Sequence, residues 1–174
     1  MKPIWLLEDE PIRVCFDSHG YAFYKGASEI IGTPIEAFLR LIAIKGDERI
    51  EVQCVNDLKR LVTIRSPEEA LEFVELFTSL KTHYLFPTIS YLEPEVTDDV
   101  PGVGQYTKEY AKRLKIEATK SRQEGESFVI VRNLMDKSGR LFRATERVNK
   151  DGDYSLIKEE VVDEHSPIIY PLYQ

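Results

Sequence analysis

The stretch SFVIVRNLMDKSGRLFRATERVNKDGDYSLIKEEVV, residues 127–162, decides the fold of this chain. It opens with an apolar run and continues with two further strand-like segments, residues 140–148 and 154–162. Gly, Asp and Asn are concentrated in the joints between them, residues 136–139 and 149–153. Both joints are typical of chain reversals, because Gly tolerates the positive φ of tight turns and Asp and Asn bond to their own backbone there. The stretch therefore predicts a β-meander of three neighbouring antiparallel strands.

Three helices are predicted upstream of the meander. Thr33 and Ser66 each begin a capping box, with proline at the next position and glutamate three residues after the cap. Apolar residues follow at helical spacing, so we predict helices over residues 34–45 and 67–81. A third helix is predicted over residues 105–114, where large side chains recur every four residues.

A short apolar run, β-branched and aromatic residues, and the alternation of apolar with polar residues over 49–55 predict further strands. Residues 4–7 form a short strand, residues 13–17 and 21–25 form a hairpin, and residues 49–55 form a strand whose partner is 61–65. A sheet of this kind must bury its apolar face, and the helix stripes can cover it. We therefore predict an α+β fold, mostly antiparallel sheet with a C-terminal β-meander and about three helices packed on one face.

The length of the chain favours a single domain over residues 1–174. A chain of 174 residues can bury roughly 70% of its unfolded surface, enough for one core without disulfides or metals. Residues 93–104 are rich in proline, glycine and acids. If the domain divides, we expect the boundary in this loop.

The charge balance disfavours nucleic acid and membrane surfaces as partners. Lys and Arg number 23 against 30 Asp and Glu, a formal charge of −7 that repels phosphates and anionic lipids. The first residues lack the hydrophobic core of a secretory signal, and no stretch approaches the roughly 20 apolar residues that span a bilayer. Only Cys15 and Cys54 are present. A disulfide framework is therefore not expected, and we predict a cytoplasmic protein.

Asp17-Ser18-His19-Gly20 is the most enzyme-like tetrapeptide of the chain. Histidine exchanges protons near neutral pH, and a nearby carboxylate can orient it. The same residues are preferred in hairpin turns, so we assign no catalytic residue and keep Asp17 and His19 as binding candidates. The cysteines and histidines lack the close-spaced pairs of a zinc site, and residues 149–153 resemble a calcium loop without its flanking helices. We expect no metal and no cofactor.

Arg143 and Arg147 are further binding candidates. Alternation places both on one face of their strand, while Phe142, Ala144 and Val148 share the other. Two registers of the last hairpin are compatible with the turn, and they place Arg143 opposite Glu160 or Glu159.

The tail, residues 166–174, is too apolar to be left in water, and it contributes the candidates Tyr170 and Tyr173. One interpretation is that the tail docks on its own domain as a last strand. The other is that it pairs with another chain and forms a homodimer by sheet extension.

These observations favour a non-catalytic protein that acts by binding another protein, such as a regulatory, inhibitor or immunity-type domain. Tyrosine is common at interfaces, and the net acidity suits a basic partner. The alternative is a small-molecule-binding domain or enzyme with a pocket between the helices and the sheet.

Overall fold

The computed structural model describes residues 4–6, 10–28, 38–52, 55–81, 112–135 and 140–164. These residues form two four-stranded antiparallel sheets with the orders β1-β2-β3-β4 and β5-β6-β7-β8. The N-terminal sheet consists of β1 (Ile4–Leu6), β2 (Ala22–Ser28), β3 (Phe38–Lys45) and β4 (Glu48–Val52). The C-terminal sheet consists of β5 (Lys120–Glu124), β6 (Ser127–Met135), β7 (Leu141–Asn149) and β8 (Tyr154–Asp163). Helix α1 (Pro67–Lys81) lies between the two sheets in sequence, after a short 3-10 turn at Val55–Asp57.

The prediction of about three helices packed on one sheet is wrong. Most of the described chain is strand, divided between two sheets, and α1 is the one predicted helix that the structure shows in full. Of the helix predicted at residues 105–114, only Lys112 to Leu114 are described, and Lys112 and Arg113 are helical. The loop 93–104, where we expected any domain boundary, lies outside the described residues.

The segment predicted as a helix at residues 34–45 contains β3 instead. Leu41, Ile42 and Ala43 are consecutive and are all 1% exposed or less. Consecutive strand residues point to opposite faces, so β3 is covered on both faces. β3 is also paired along both edges, because it lies between β2 and β4. A continuous apolar run satisfies helical spacing as well as strand spacing, so the pattern alone could not distinguish them.

The predicted hairpin of residues 13–17 and 21–25 is also wrong. β2 pairs with β1 and β3, and the preceding segment reaches it only through an isolated bridge between Ile12 and Phe23. Asp17 instead exchanges two backbone hydrogen bonds with Thr63, at 3.3 and 2.7 Å. Residues 61–65, predicted as the partner of β4, therefore lie against Asp17, while β4 pairs with β3 across the turn at Gly46.

The C-terminal meander and α1 are confirmed. β6, β7 and β8 pair antiparallel in chain order, as predicted from residues 127–162. At the start of α1, the Ser66 hydroxyl accepts a hydrogen bond from the Glu69 amide at 3.2 Å. This contact provides a partner for one of the first backbone amides of the helix, which have none within the helix itself. One buried cluster then joins α1 to both sheets, with Phe73 of α1, Phe23 of β2 and Phe128 of β6 all 0% exposed.

The loop at residues 58–65, which we call the strap, contacts both Asp17 and the β7–β8 turn. Its Arg60 and Ile64 amides donate to the Asp151 and Lys150 carbonyls in the β7–β8 turn, at 3.0 and 2.8 Å. Gly152 in that turn is buried with φ +80°, and a Cβ there would lie 2.6 Å from Val62 Cγ2. The predicted reversal at residues 149–153 is therefore confirmed, and it is pressed directly against the core.

Candidate functional site

The two end strands of the C-terminal sheet differ in their chemistry. β5 has the sequence Lys-Ser-Arg-Gln-Glu and carries no apolar residue. β8 carries Leu156, Ile157 and Val161, which are 46%, 47% and 45% exposed and are the exposed large hydrophobic residues of the described chain. An end strand made of charges resists pairing with another chain, whereas an apolar one invites it. The candidate site is therefore the β8 edge, defined here as the side of Tyr154–Asp163 that faces away from β7.

The exposed apolar residues of β8 continue the buried face of the sheet. Leu156 lies opposite Glu146, which in turn lies opposite Ile130. Val161 is aligned in the same way with Phe142 and Leu134. Residues directly opposite each other share a face, so Leu156 and Val161 lie on the core side of the sheet. Glu159, opposite Ala144, lies between them on the same face. The core side of the sheet thus extends beyond β7 to two accessible apolar side chains that are separated by a carboxylate.

Two irregularities in the β7–β8 ladder shape this edge. The pairing shifts between Leu141 and Phe142 and again between Thr145 and Glu146, which leaves Val162 and Ile157 as extra residues on β8. Bulges of this kind bend and twist a strand. Among the residues that the structure describes, β8 pairs with β7 alone.

The β8 edge is also acidic. Residues 153–164 contain five acidic side chains and one lysine, Lys158. Glu160 accepts from Lys158 at 2.7 Å, and this contact holds the pKa of the Glu160 carboxyl below its usual range. Glu159 lies 3.5 Å from Arg140. These contacts neutralise only part of the charge. An excess of negative charge remains around Leu156, Ile157 and Val161, which we call the apolar row.

Arg143 and Arg147, predicted as binding candidates, lie on the opposite face of the sheet from Leu156 and Val161. The register opposes Arg143 to Glu160, one of the two predicted arrangements. Arg143 is half-buried, and its Nε lies 3.5 Å from Asn133 Oδ1. Arg147 is exposed and lies opposite Val129 and Ser155. The two arginines therefore border the β8 edge but do not belong to its apolar row.

Asp17 and His19, the other described candidates, form a turn. The Asp17 carboxylate accepts from the His19 backbone amide at 2.9 Å, and φ is positive at His19 and Gly20, +51° and +83°. Asp17 Oδ2 also accepts from Arg65. The backbone hydrogen bond from His19 first, and then Arg65, hold the pKa of the Asp17 carboxyl below its usual range. These contacts are those of an Asx turn, whereas the tetrapeptide was predicted to be the turn of a hairpin.

Both nitrogens of the His19 ring lie within hydrogen-bonding distance of the strap. Nδ1 lies 3.1 Å from the Arg60 carbonyl oxygen, and Nε2 lies 2.7 Å from Thr63 Oγ1. A carbonyl oxygen can only accept, so Nδ1 carries a proton and donates to Arg60, and Nε2 forms a hydrogen bond with the Thr63 hydroxyl. The Asp17 carboxylate contacts the His19 backbone rather than the ring. Both ring contacts are therefore made to the strap, and within the described part of the chain no carboxylate is hydrogen-bonded to the ring.

The most buried polar cluster was missed by the sequence analysis. Arg132 and Glu146 form an ion pair on the core side of the sheet, with Nε to Oε2 at 2.6 Å. The Tyr154 hydroxyl donates to Glu146 Oε1 at 2.8 Å, and burial together with the Glu146 charge raises the pKa of Tyr154. The sequence did contain an indication of this burial. Glu146 falls on the same face of its strand as Phe142, Ala144 and Val148, the face predicted to be apolar.

Tyr170 and Tyr173 lie outside the described residues, so their candidacy stays a prediction. In the part of the chain that the structure describes, no group of three His, Cys, Asp or Glu side chains is placed to hold a metal ion. No helix of the described chain is long and apolar enough to cross a membrane.

Comparisons with known proteins found no match for this chain among protein-family models, curated proteins or solved structures.

Proposed function

We propose that this protein is a non-catalytic domain that binds another protein along the β8 edge. The observation that carries the proposal is the contrast between the two end strands of one sheet. β5 is polar throughout, whereas β8 exposes Leu156, Ile157 and Val161 by nearly half of their surface. A group of exposed apolar side chains among polar neighbours is characteristic of interaction surfaces.

The alternative, a small-molecule site between α1 and a sheet, has less support. The core side of α1 is occupied by Ala70, Phe73 and Val74, each 0% exposed, which pack in one cluster with Phe128 and Ile130 of β6. A ligand pocket needs space that these side chains fill. At the most enzyme-like tetrapeptide, both His19 ring nitrogens lie within hydrogen-bonding distance of strap atoms.

We also propose that the protein works in the cytoplasm as a regulatory or inhibitor-type partner. This part of the proposal rests on composition. The chain has two cysteines in 174 residues, and Cys15 is a free thiol. Proteins that depend on disulfides for stability in oxidising compartments are usually much richer in cysteine.

Site-specific photo-crosslinking in cells tests this function. A photoreactive residue is placed at Ile157 on β8 and, as the matched control, at Gln123 on β5, both exposed positions on end strands of the same sheet. We expect a discrete crosslinked protein from position 157 and not from position 123. Leu156→Lys in the same chain should abolish that crosslink, because it places a charge in the apolar row. Equal crosslinking from both positions, or none from position 157, would contradict the proposal.

A further inference from the structure

The chemistry of the β8 edge specifies what kind of segment it binds, and this inference rests on the proposed function. β8 is ten residues long and lies at the end of its sheet. An extended peptide can add to such an edge through main-chain hydrogen bonds, with side-chain contacts giving specificity. The side chains on the two faces of β8 therefore predict the alternating pattern of an added strand.

On the core side of the sheet, the side chains of β8 favour apolar residues in the added strand. The cross-strand rows through Ile130 and Glu146, and through Leu134 and Phe142, end at Leu156 and Val161. The row between them, through Arg132 and Ala144, ends at Glu159. An added strand would place its next side chains directly beside Leu156 and Val161. Apolar side chains there would remove the exposed surface of Leu156 and Val161 from water, at roughly 25 cal/mol per Å² buried.

The opposite face calls for basic residues. Glu160 lies on this face, opposite Arg143, and Asp163 lies on it opposite Leu141. Glu164 follows directly and is exposed. Lys158 lies on this face too, opposite Thr145, and pairs with Glu160 at 2.7 Å. Residues 153–164 as a whole carry five acids against this one lysine, so the net charge of the edge stays negative. Complementary charge across an interface gives specificity and speeds association, so Lys or Arg side chains suit this side of the added strand.

A second copy of this chain is a poor occupant. Antiparallel self-pairing of β8 centred on Lys158, Glu159 or Glu160 would place that central residue opposite its own copy, and like charges directly opposite each other are destabilising. The two bulges restrict pairing further, because they twist the edge away from a flat partner strand. These features disfavour identical strands in those registers, and the net negative charge of the edge favours a strand of opposite charge.

We infer that β8 docks an extended basic segment of a partner protein, with apolar side chains on the core side and Lys or Arg on the other. The added segment becomes the fifth strand of the C-terminal sheet, beside β8.

Synthetic peptides as long as β8 test this inference by fluorescence anisotropy with the full chain. One peptide alternates Val and Lys, a second alternates Val and Glu, and a third is the Val/Lys peptide with central prolines. We expect the Val/Lys peptide to bind, and the proline version to lose at least about tenfold in affinity because proline cannot join a ladder. The Val/Glu peptide should not bind, and high salt should weaken the Val/Lys complex.

Charge reversal on the protein identifies the site. Glu160→Lys should weaken the Val/Lys peptide by about tenfold or more and strengthen the Val/Glu peptide, whereas Glu124→Lys on β5 should change neither. Val/Lys binding that is equal in Glu160→Lys and the natural chain would overturn the inference. A homodimer in sedimentation that Leu156→Lys or Ile157→Lys dissociates would also overturn it, since a second copy would then occupy the edge.

The peptide-binding and crosslinking results together distinguish a failure of this inference from a failure of the proposed function. If an uncharged or acidic peptide binds and Leu156→Lys abolishes that binding, β8 is a docking strand but the basic segment is wrong. If no peptide depends on Leu156 and position 157 gives no crosslink, both fail. Circular dichroism and thermal melts of the Leu156 and Ile157 variants confirm that they are folded, which their exposure favours.

Discussion

Arg132 and Glu146 face each other diagonally across β6 and β7, and both side chains are only 2% exposed. The contact is bidentate, with Nε to Oε2 at 2.6 Å and Nη2 to Oε1 at 3.0 Å. Arg132 Nη2 also lies 3.4 Å from the Val74 carbonyl of α1. The pair therefore connects the C-terminal sheet to the helix from within the core, where an ionic group is tolerated only with good partners.

Glu146→Ala should cost about 3 to 5 kcal/mol of unfolding free energy, because it leaves the Arg132 guanidinium buried without its carboxylate. The double change Arg132→Met with Glu146→Leu should cost less than Glu146→Ala alone, since it removes both charges and fills the space. Urea unfolding of the three proteins measures both quantities.

The Lys150–Glu126 contact provides the matched surface control. Its nitrogen and oxygen lie 2.6 Å apart, but the side chains are 47% and 89% exposed. Lys150→Met should therefore change the unfolding free energy by no more than about 1 kcal/mol. A loss in Glu146→Ala as small as that in Lys150→Met would show that the buried pair contributes little.

Local signals allowed α1 and the meander to be predicted from the sequence. The N-cap at Ser66 acts within its own first turn, so the helix begins at Pro67 as expected. The same pattern at Thr33 gave the wrong element, because β3 is decided by its two neighbouring strands rather than by a cap. Strand pairing depends on residues that are distant in sequence, and no local pattern specified two sheets.

The candidate site could be predicted only in part. Leu156, Ile157 and Val161 have the pattern of residues in a paired strand, and no feature of the sequence indicated that they would be exposed. Their exposure depends on strand order, since only an end strand leaves one side accessible. The buried Glu146 was hidden for a related reason, because its partner Arg132 lies on another strand.

Gly152→Ala should destabilise the protein more than Gly125→Ala, although both glycines have positive φ, +80° and +61°. A Cβ at position 125 meets nothing within 4 Å, whereas one at position 152 lies 2.6 Å from Val62 Cγ2. We expect about 1 to 2 kcal/mol for the backbone strain at either site. Overpacking against the core should add about 1 to 3 kcal/mol at position 152.

Chemical denaturation of the two glycine variants makes this comparison. Adding Val62→Ala to Gly152→Ala should cost less than the sum of the two single changes, because it removes the atom that the new Cβ contacts. Equal losses at positions 125 and 152 would mean that the turn can move away from the strap.

The Asp17 carboxyl should titrate below its ordinary 3.8, because the charged form accepts from the His19 amide and from Arg65. Its folded pKa is depressed, so its contribution to stability is present above the unfolded pKa and is lost as pH falls through the folded pKa. Carboxyl NMR titration measures the midpoint. Arg65→Ala should raise it only part of the way, since the backbone hydrogen bond is the larger cause. A full return to 3.8 in that variant would assign the whole effect to Arg65.

Cys15 should be a slow nucleophile although it is exposed. Neighbouring protein atoms remove water from the Cys15 thiol, which disfavours its charged form. The Glu72 carboxylate accepts a hydrogen bond from the thiol and repels the thiolate. These effects raise the pKa of Cys15 from 9.0 to about 11. Two pKa units mean roughly 100-fold less thiolate near neutral pH, and the thiolate is the reactive species. Glu72→Gln should move the pKa back toward 9.0 and speed alkylation at the Cys15 peptide, followed by mass spectrometry across a pH series. Glu68→Gln, on the same helix but not among the groups that shift this thiol, should leave the rate unchanged; equal rates in both variants would show that Glu72 does not control Cys15.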